Sequence, residues 1–224
     1  MSTRKSGARV LGVTQILNKH YRVYELPEPW ASTIGQVAQN FRGIVYGASG
    51  NGKTVMMMQL VKVLAATGKV YYNSAEEGDA KTIQDAYKLV GMHDVAGNLM
   101  LGDRNSFDQM MAEMKRGRYR HLVIDSRDFL DLTANQYRQL IKAFPNKSIT
   151  VVCWSKAGMP KGEHAAAIEY MCDVKIHVDQ YVAYPRSRFG GNQEYWIWPE
   201  KVASMRKKAD FQTRDLFNQQ IKHA

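Results

Sequence analysis

Residues 42–60 read Arg42-Gly-Ile-Val-Tyr-Gly47-Ala-Ser-Gly-Asn-Gly52-Lys53-Thr54-Val-Met-Met-Met-Gln-Leu60. Its spacing of glycines, lysine and threonine matches G-x-x-x-x-G-K-[ST], the Walker A pattern. Glycines there let the backbone wrap a phosphate while successive N–H groups point inward. A short β-rich run precedes the loop and a helical run over residues 55–66 follows it. Strand, loop and helix come in the required order, so the stretch predicts a nucleotide site.

The loop residues have separate expected roles. The Lys53 ammonium is expected to reach the β- and γ-phosphates, and the Thr54 hydroxyl to bind Mg²⁺. The helix that begins near Lys53 adds the positive end of its dipole. The predicted nucleotide-binding residues are Gly47, Ala48, Ser49, Gly50, Asn51, Gly52, Lys53, Thr54 and Val55.

Composition limits the class of protein. The 224 residues are 45% apolar, which suffices for a buried core, and the net charge of +10 favours anionic partners such as nucleotide and nucleic acid. A merely basic protein is the plainer alternative. Cys153 and Cys172 form no Cys-x-x-Cys pair, so neither a zinc site nor a disulfide framework is expected. No apolar run reaches the roughly 18 residues of a membrane span, and no signal peptide is evident, so we expect a soluble cytoplasmic protein.

Apolar runs alternate with helical patterns along the middle of the chain. This rhythm predicts an α/β fold, a mainly parallel sheet with helices on both faces. Residues 181–184 and 194–198 predict an antiparallel hairpin that closes the sheet. The predicted organisation is an N-terminal arm over residues 1–40, a core over 41–199 and a basic tail over 200–224.

The two ends of the chain carry weaker patterns. Residues 21–26 alternate loosely before Pro27 and Pro29, which predicts a strand or arm that docks on the core or on a neighbouring subunit. The basic tail is read as a solvated helix, with a nucleic-acid or subunit contact as the alternative.

Acidic residues follow two predicted strands. Asp125 ends the apolar run 122–125 and is the predicted second Mg²⁺ contact, the alternative being an ordinary turn aspartate. Glu76 and Glu77 follow the second strand, at the edge where α/β sheets bind ligands. One of them is the predicted base that orients water, and Glu76 is favoured. The alternative is that both are acids at a helix N-terminus.

Basic residues fall in two further places. Ser155 and Lys156 follow the fifth strand and are placed to sense phosphate or Mg²⁺. The loop after them carries Lys161, which can contact DNA or belong to a plain connection. A second cluster contains Lys115, Arg116 and Arg118 with Tyr119 between basic residues. It suits phosphate contact and base stacking, or an ordinary solvated helix end.

Several segments together resemble the RecA-like ATPases, most of all the core of the bacterial RadA (Sms) repair ATPases. They are Gly47 to Thr54, Ser74-Ala-Glu76-Glu77, Val123-Ile-Asp125-Ser126, Trp154-Ser155-Lys156-Ala-Gly158, Ile168-Glu-Tyr-Met-Cys-Asp173 and Arg186-Ser-Arg188-Phe189-Gly190. The resemblance covers roughly residues 41–199. It implies that ATP is the nucleotide and Glu76 the catalytic base. It also implies that Arg186 and Arg188 reach the γ-phosphate held by the next subunit of a ring or filament.

The sequence also departs from that family. Arg186 and Ser187 stand where the motif has Lys and Asn, and the family's zinc-binding Cys module and protease-like domain have no counterpart. The chain therefore resembles the small core-only ATPases of phages and mobile elements, including phage single-strand annealing recombinases. KaiC-like and replicative-helicase domains share the same core.

The resemblance implies a Mg²⁺-dependent ATPase that acts on DNA, with single-stranded DNA as the partner, in recombination, repair or replication. Three alternatives stay open. One is a nucleotide-switched assembly or loader protein with weak, DNA-independent hydrolysis, and another is a helicase-type motor domain. A small-molecule P-loop kinase is the third, and it would need an arginine-rich lid after the core.

Overall fold

A computed structural model of the chain describes residues 10–207. It shows an α/β fold in which one mixed, mostly parallel sheet is covered by helices, and this confirms the fold class predicted from the alternating pattern. The predictions for residues 1–9 and for residues 208–224 of the basic tail lie outside the described residues.

Strands and helices alternate through most of the chain. The strands are β1 (Arg42–Gly47), β2 (Val70–Ser74), β3 (Leu99–Asp103), β4 (His121–Asp125), β5 (Ser148–Lys156), β6 (Met159–Pro160), β7 (Val174–Asp179), β8 (Val182–Ser187) and β9 (Tyr195–Trp196). The helices are α1 (Val13–Leu17), α2 (Trp30–Ile34), α3 (Lys53–Thr67), α4 (Lys81–Val90), α5 (Phe107–Arg116), α6 (Ala134–Ala143) and α7 (Glu163–Tyr170). A 3₁₀ segment covers Met92–Asn98, and residues 199–207 are helical.

The strand order places the predicted loop near the middle of the sheet. The order is β3-β2-β4-β5-β1-β7-β8-β9, and β6 pairs with the outer end of β5. From β3 to β7 all pairings are parallel. The strand that ends in Asp125 is therefore separated from β1 by β5 alone. All these parallel strands present their carboxyl ends at one edge, which we call the carboxyl edge.

Side-chain alternation divides the core between the two faces of the sheet. On β1, Val45 packs with α3 and α4, whereas Ile44 and Tyr46 pack with α5, α6 and α7. On β4, Val123 faces the first set and its neighbours Leu122 and Ile124 face the second. Strands buried on both faces are near-continuous apolar runs, as their sequences show.

The segment before β1 contributes to the core. Tyr24, Trp30 and Ile34 are buried in the same cluster as α3. The strand or arm predicted over residues 21–26 does dock on the core, since Tyr24 and Leu26 are buried in it, but it is not a continuous strand, because Val23 pairs with Ala38 as an isolated bridge. Pro27, directly after this run, lacks the N–H that a continuing ladder of strand hydrogen bonds requires.

The last strands form an antiparallel extension of the sheet. The predicted pairing of residues 181–184 with 194–198 is present, since Val182 lies opposite Trp196 and Ala183 opposite Tyr195. The sequence pattern did not predict the tighter hairpin of β7 and β8, in which Asp179 pairs with Val182 across the two-residue turn 180–181. Among residues 10–207, no helix combines the length and apolar character that crossing a membrane requires.

A buried histidine predicts how stability depends on pH. His121, at the start of β4, is fully buried and bonds the Ser148 and Thr67 hydroxyls at 2.7 and 2.9 Å. Burial, and secondarily the Arg120 charge, lowers the pKa of His121 from 6.5 to about 4. Between these values the unfolded chain binds the proton and the folded chain does not, so stability rises with pH across this window.

We expect His121 to remove up to about 3 kcal/mol of unfolding free energy as pH falls from 6.5 to 4. Urea titrations across this range should show a shallower pH dependence in His121→Gln than in the wild type. The matched control is His93→Gln, since His93 is exposed and lies beside Asp94 at the surface. Equal slopes in the wild type and His121→Gln would contradict this assignment.

Candidate active site

The carboxyl edge brings the predicted site residues together. In the sheet register, Gly47 at the end of β1 lies opposite Trp154 of β5, and Asp125 at the end of β4 lies opposite Val152 of β5 and Ser74 of β2. Glu76 comes two residues after Ser74, and its N–H donates to the Asp125 carbonyl at 3.2 Å. Residues distant in sequence therefore meet because parallel strands end at one edge.

The glycines of the loop serve different purposes. A side-chain carbon built on Gly47 would lie 2.2 Å from the Val178 carbonyl oxygen, so the end of β1 packs directly on β7. Gly52 has φ 93° and Gly50 has φ 78°, conformations that favour glycine. A carbon on Gly50 would meet nothing within 4 Å, which leaves the mouth of the loop open. These features form a cradle that suits a phosphate.

Lys53 begins α3 and lies over the loop. Its ammonium donates to the Ala48 carbonyl at 2.9 Å. Burial lowers the pKa of Lys53, while the charges of Asp125 and Glu76 act in the opposite direction. The lysine and the two carboxylates are therefore electrostatic neighbours, and the Thr54 side chain is the next one along α3.

Asp125 is a buried carboxylate with one strong donor. The Tyr72 hydroxyl of the adjacent strand donates to its Oδ2. Burial raises the pKa of Asp125 to about 6, and the nearby Glu76 and Glu77 charges add to this, whereas the Tyr72 bond and Lys53 oppose it. The negative charge of these three acids exceeds the positive charge of the neighbouring Lys53, and this imbalance favours the binding of a cation.

Glu76 and Glu77 point to different partners. Glu76 accepts a hydrogen bond from the Ser126 hydroxyl at 3.2 Å, which places it beside Asp125. Glu77 instead accepts a hydrogen bond from the Thr82 hydroxyl in the first turn of α4. The alternative that these glutamates are acids at a helix N-terminus therefore applies to Glu77. Glu76 is the carboxylate that lies beside Asp125.

The donor set fits Mg²⁺ in one particular way. Among residues 10–207, no group of three or more His, Cys, Asp or Glu side chains is arranged to hold a metal ion. Mg²⁺ bound with a nucleotide needs few protein ligands, because phosphate oxygens and water supply the others. Thr54 and the buried Asp125 carboxylate are suitable for that role.

Ser155 and Lys156 end β5, next to the loop strand. Ser155 is half-buried and Lys156 exposed, and they pair with Pro160 and Met159 of β6. Ala157 and Gly158 form the turn between the two strands, both with positive φ. The predicted sensor residues therefore lie at the carboxyl edge on a short, well-defined hairpin.

Arg186 and Arg188 lie at and just after the end of β8, and the register places this end of β8 toward the start of β1. Arg186 pairs in register with Lys175, which lies opposite Ile44 near the start of β1. Its guanidinium bonds Glu169 at 2.9 Å and the Tyr46 hydroxyl at 3.1 Å. Arg188 forms an ion pair with Asp173 at 3.3 Å, and the two arginine side chains are 65% and 66% exposed. Both side chains are therefore mostly exposed, and their partners belong to β1, α7 and the segment before β7.

The residues predicted to bind DNA are not brought together. Lys115 and Arg116 end α5, and Arg118 precedes β4 at the edge opposite the loop, while Lys161 follows the β5–β6 hairpin at the carboxyl edge. The prediction that Tyr119 stacks on bases is wrong, since its ring is buried against Tyr71 and its hydroxyl bonds Glu113 at 2.7 Å. A tyrosine between basic residues cannot by itself reveal which way its ring points.

Several side-chain contacts at the carboxyl edge were not predicted from the sequence. Tyr72 bonds Asp125, Ser126 bonds Glu76, and the Asp128 carboxylate accepts from the Trp154 N–H at 2.7 Å. Each contact joins residues far apart in the chain, and none belongs to a local motif. Only Ser126 carried a signal, since it directly follows the strand-terminal aspartate.

Comparison with protein families and with curated proteins assigns no function to this chain. No protein-family model matches the chain, and no curated protein matches it significantly. The fold and the site define an α/β chain with a glycine-rich loop, a lysine and two carboxylates at one sheet edge.

The two neighbouring glutamates give a matched pair of variants. If the site hydrolyses a nucleoside triphosphate, as the loop motif predicts, Glu76→Gln should lower that hydrolysis at least 100-fold while nucleotide binding persists, because Glu76 would then be the group that acts on the attacking water. Glu77→Gln should retain most activity, since its partner is the start of α4. Steady-state phosphate release measures both. The reverse ranking would assign the base to Glu77.

Proposed function

We propose that the chain is a Mg²⁺-dependent P-loop ATPase of the RecA-like type, with an active site shared between subunits, and that it acts on DNA. The observation that carries the proposal is the meeting of Lys53, Asp125 and Glu76 at the carboxyl edge beside the open glycine loop. The strand order supports it, because one strand separates the loop strand from the strand of Asp125, and Glu76 follows the strand beyond.

The proposed reaction uses these side chains in named roles. Lys53 and the loop N–H groups bind the β- and γ-phosphates, and Glu76, held by Ser126, accepts a proton from water. The water oxygen bonds to the γ-phosphorus as the bond to the bridging oxygen breaks, and ADP leaves with that oxygen. Mg²⁺, when bound at Thr54 and Asp125, neutralises phosphate charge.

Lys53→Ala tests the proposal most simply. Loss of a preorganised cation at the developing charge should reduce ATP hydrolysis by roughly 100-fold or more. The matched control is Lys62→Ala, on the same helix but paired with Asp94 at 2.7 Å, and its rate should equal that of the wild type. Hydrolysis by Lys53→Ala at the wild-type rate would refute the site.

The arginine positions support a shared site. Arg186 and Arg188 are exposed at the edge away from their own loop, so they suit the γ-phosphate of a neighbour in a head-to-tail assembly. Such an arginine stabilises the charge of the transition state. In the single chain the Arg186 guanidinium is held by the buried carboxylate of Glu169.

Mixing two inactive variants tests this arrangement. Glu76→Gln keeps its arginines and Arg188→Ala keeps its loop, so an equal mixture should regain about a quarter of wild-type sites in a head-to-tail assembly. The matched control mixes Glu76→Gln with Lys53→Ala, where both defects lie on the loop side and no intact site can form. Equal activity in the two mixtures would show that the site is complete within one chain.

An aromatic and basic surface at the carboxyl edge supports the DNA partner. Phe129 and Met159 are 52% and 54% exposed, and Phe129 meets the Trp154 ring edge-on with centroids 5.6 Å apart. The Lys161 ammonium lies 4.8 Å from the Trp154 ring centre, and Lys156 is exposed nearby. Aromatic rings beside lysines suit stacked bases and backbone phosphates of single-stranded DNA.

Hydrolysis measured with single-stranded DNA at two salt concentrations tests that partner. We expect DNA to stimulate the rate, the stimulation to fade with salt, and Lys161→Ala to lose most of it. Lys142→Ala, an exposed lysine at the end of α6, is the control. A larger loss of DNA stimulation in Arg118→Ala than in Lys161→Ala would indicate that DNA binds at the opposite edge of the sheet. Hydrolysis indifferent to DNA would favour the nucleotide-switched assembly protein.

A further inference from the structure

A cluster of two aromatic rings and a lysine lies beside the loop and has no role in the chemistry above. The Lys201 ammonium lies 3.8 Å from the ring centre of Tyr181 and 5.2 Å from that of Trp198. The two rings meet edge to face, with centroids 6.1 Å apart and planes at 87°. We call Tyr181, Trp198 and Lys201 the hairpin-tip cluster.

The hairpin-tip cluster contacts the loop directly. A side-chain carbon built on Gly52 would lie 3.0 Å from Tyr181 Cδ1. One residue earlier, the Asn51 amide donates to the Asp179 carboxylate at 2.9 Å, where β7 ends. The turn between β7 and β8 therefore packs against the last residues of the loop before Lys53.

The Tyr181 backbone is unusual for a residue of its size. Gln180 and Tyr181 have φ of 46° and 63°, in the left-handed region that large side chains seldom adopt. Asn or Gly would satisfy this two-residue turn with less strain. The Tyr181 carbonyl accepts from the Ile197 N–H at 2.9 Å, which holds the turn against the chain that leads to Trp198. Turn chemistry alone does not account for a tyrosine here.

The strand order fixes which way a nucleotide must extend. Asp125 and Glu76 belong to β4 and β2, on one side of the loop strand β1. The γ-phosphate must face them for the reaction to occur. The ribose and base leave the opposite end of the phosphate chain, so they extend toward β7, β8 and β9. The hairpin-tip cluster lies on that side, and Trp198 is 48% exposed there.

We propose that Tyr181, Trp198 and Lys201 form the subsite for the purine base of the bound nucleotide. The inference rests on the proposed function, because it uses the same loop. The exposed Trp198 ring offers a face for stacking, and Lys201 brings positive charge close to the ribose and α-phosphate end. Stacking tolerates any flat base, and a purine overlaps an indole ring more fully than a pyrimidine does. Adenine and guanine nucleotides therefore bind with similar affinity.

Comparing ADP with inorganic pyrophosphate isolates the base. Both ligands offer two linked phosphates, and only ADP carries a base, so calorimetric titration of each in Mg²⁺ measures the stacking contribution. We expect Trp198→Ala to weaken ADP binding roughly tenfold and to leave pyrophosphate binding within about twofold of the wild type. Trp198→Phe should restore most of the loss, and GDP should follow ADP.

The matched control is Trp196→Ala. The Trp196 ring lies two residues earlier and contacts Arg206 and Glu194 instead, so this variant should bind both ligands as the wild type does. Equal ADP affinity in Trp198→Ala and the wild type would refute the base subsite. So would an equal loss for ADP and pyrophosphate, which would mean that the ring only shapes the loop. If the wild-type chain bound neither ADP nor pyrophosphate, that result would refute the proposed function as well as this inference.

Discussion

Close packing between the end of β1 and β7 is the constraint on which the site depends. At Gly47 the backbone of β1 lies so near the Val178 carbonyl that no side chain fits between them. The loop therefore leaves the sheet at one fixed place and ends at Gly52 against the β7–β8 turn. Lys53 begins α3 immediately afterwards, which directs its ammonium and the helix N-terminus to the same point.

Charge balance at that point explains what the site can accept. One lysine stands beside a buried aspartate and a half-buried glutamate, and the Asp125 carboxylate has lost most of its contact with water. Tyr72 offsets part of that loss through its hydrogen bond. The triphosphate that we propose as the ligand would bring further negative charge, which a divalent cation beside Asp125 would offset. The ligand and the metal are therefore expected to bind together.

The sequence predicted the parts of this arrangement that depend on local patterns. Glycine spacing predicted the loop, and acids at or just after strand ends predicted that Asp125 and Glu76 would lie near each other, because strand ends in a parallel sheet share one edge. Side-chain orientation could not be predicted. Tyr119 turns into the core, Glu77 turns to α4, and Lys161 lies at the edge opposite Arg118. Tyr181 and Trp198 meet only because β7, β8 and β9 pair in a register that residue spacing does not reveal.

The proposed reaction requires one γ-phosphate to lie among Lys53, Asp125 and Glu76. A crystal structure with ADP, Mg²⁺ and aluminium fluoride, a mimic of the transferring phosphate, tests it most directly. We expect phosphates along residues 47–54, the metal beside Thr54 and Asp125, and the Glu76 carboxylate bonded to the water that faces the fluoride. A nucleotide bound elsewhere, or a metal remote from Asp125, would contradict it.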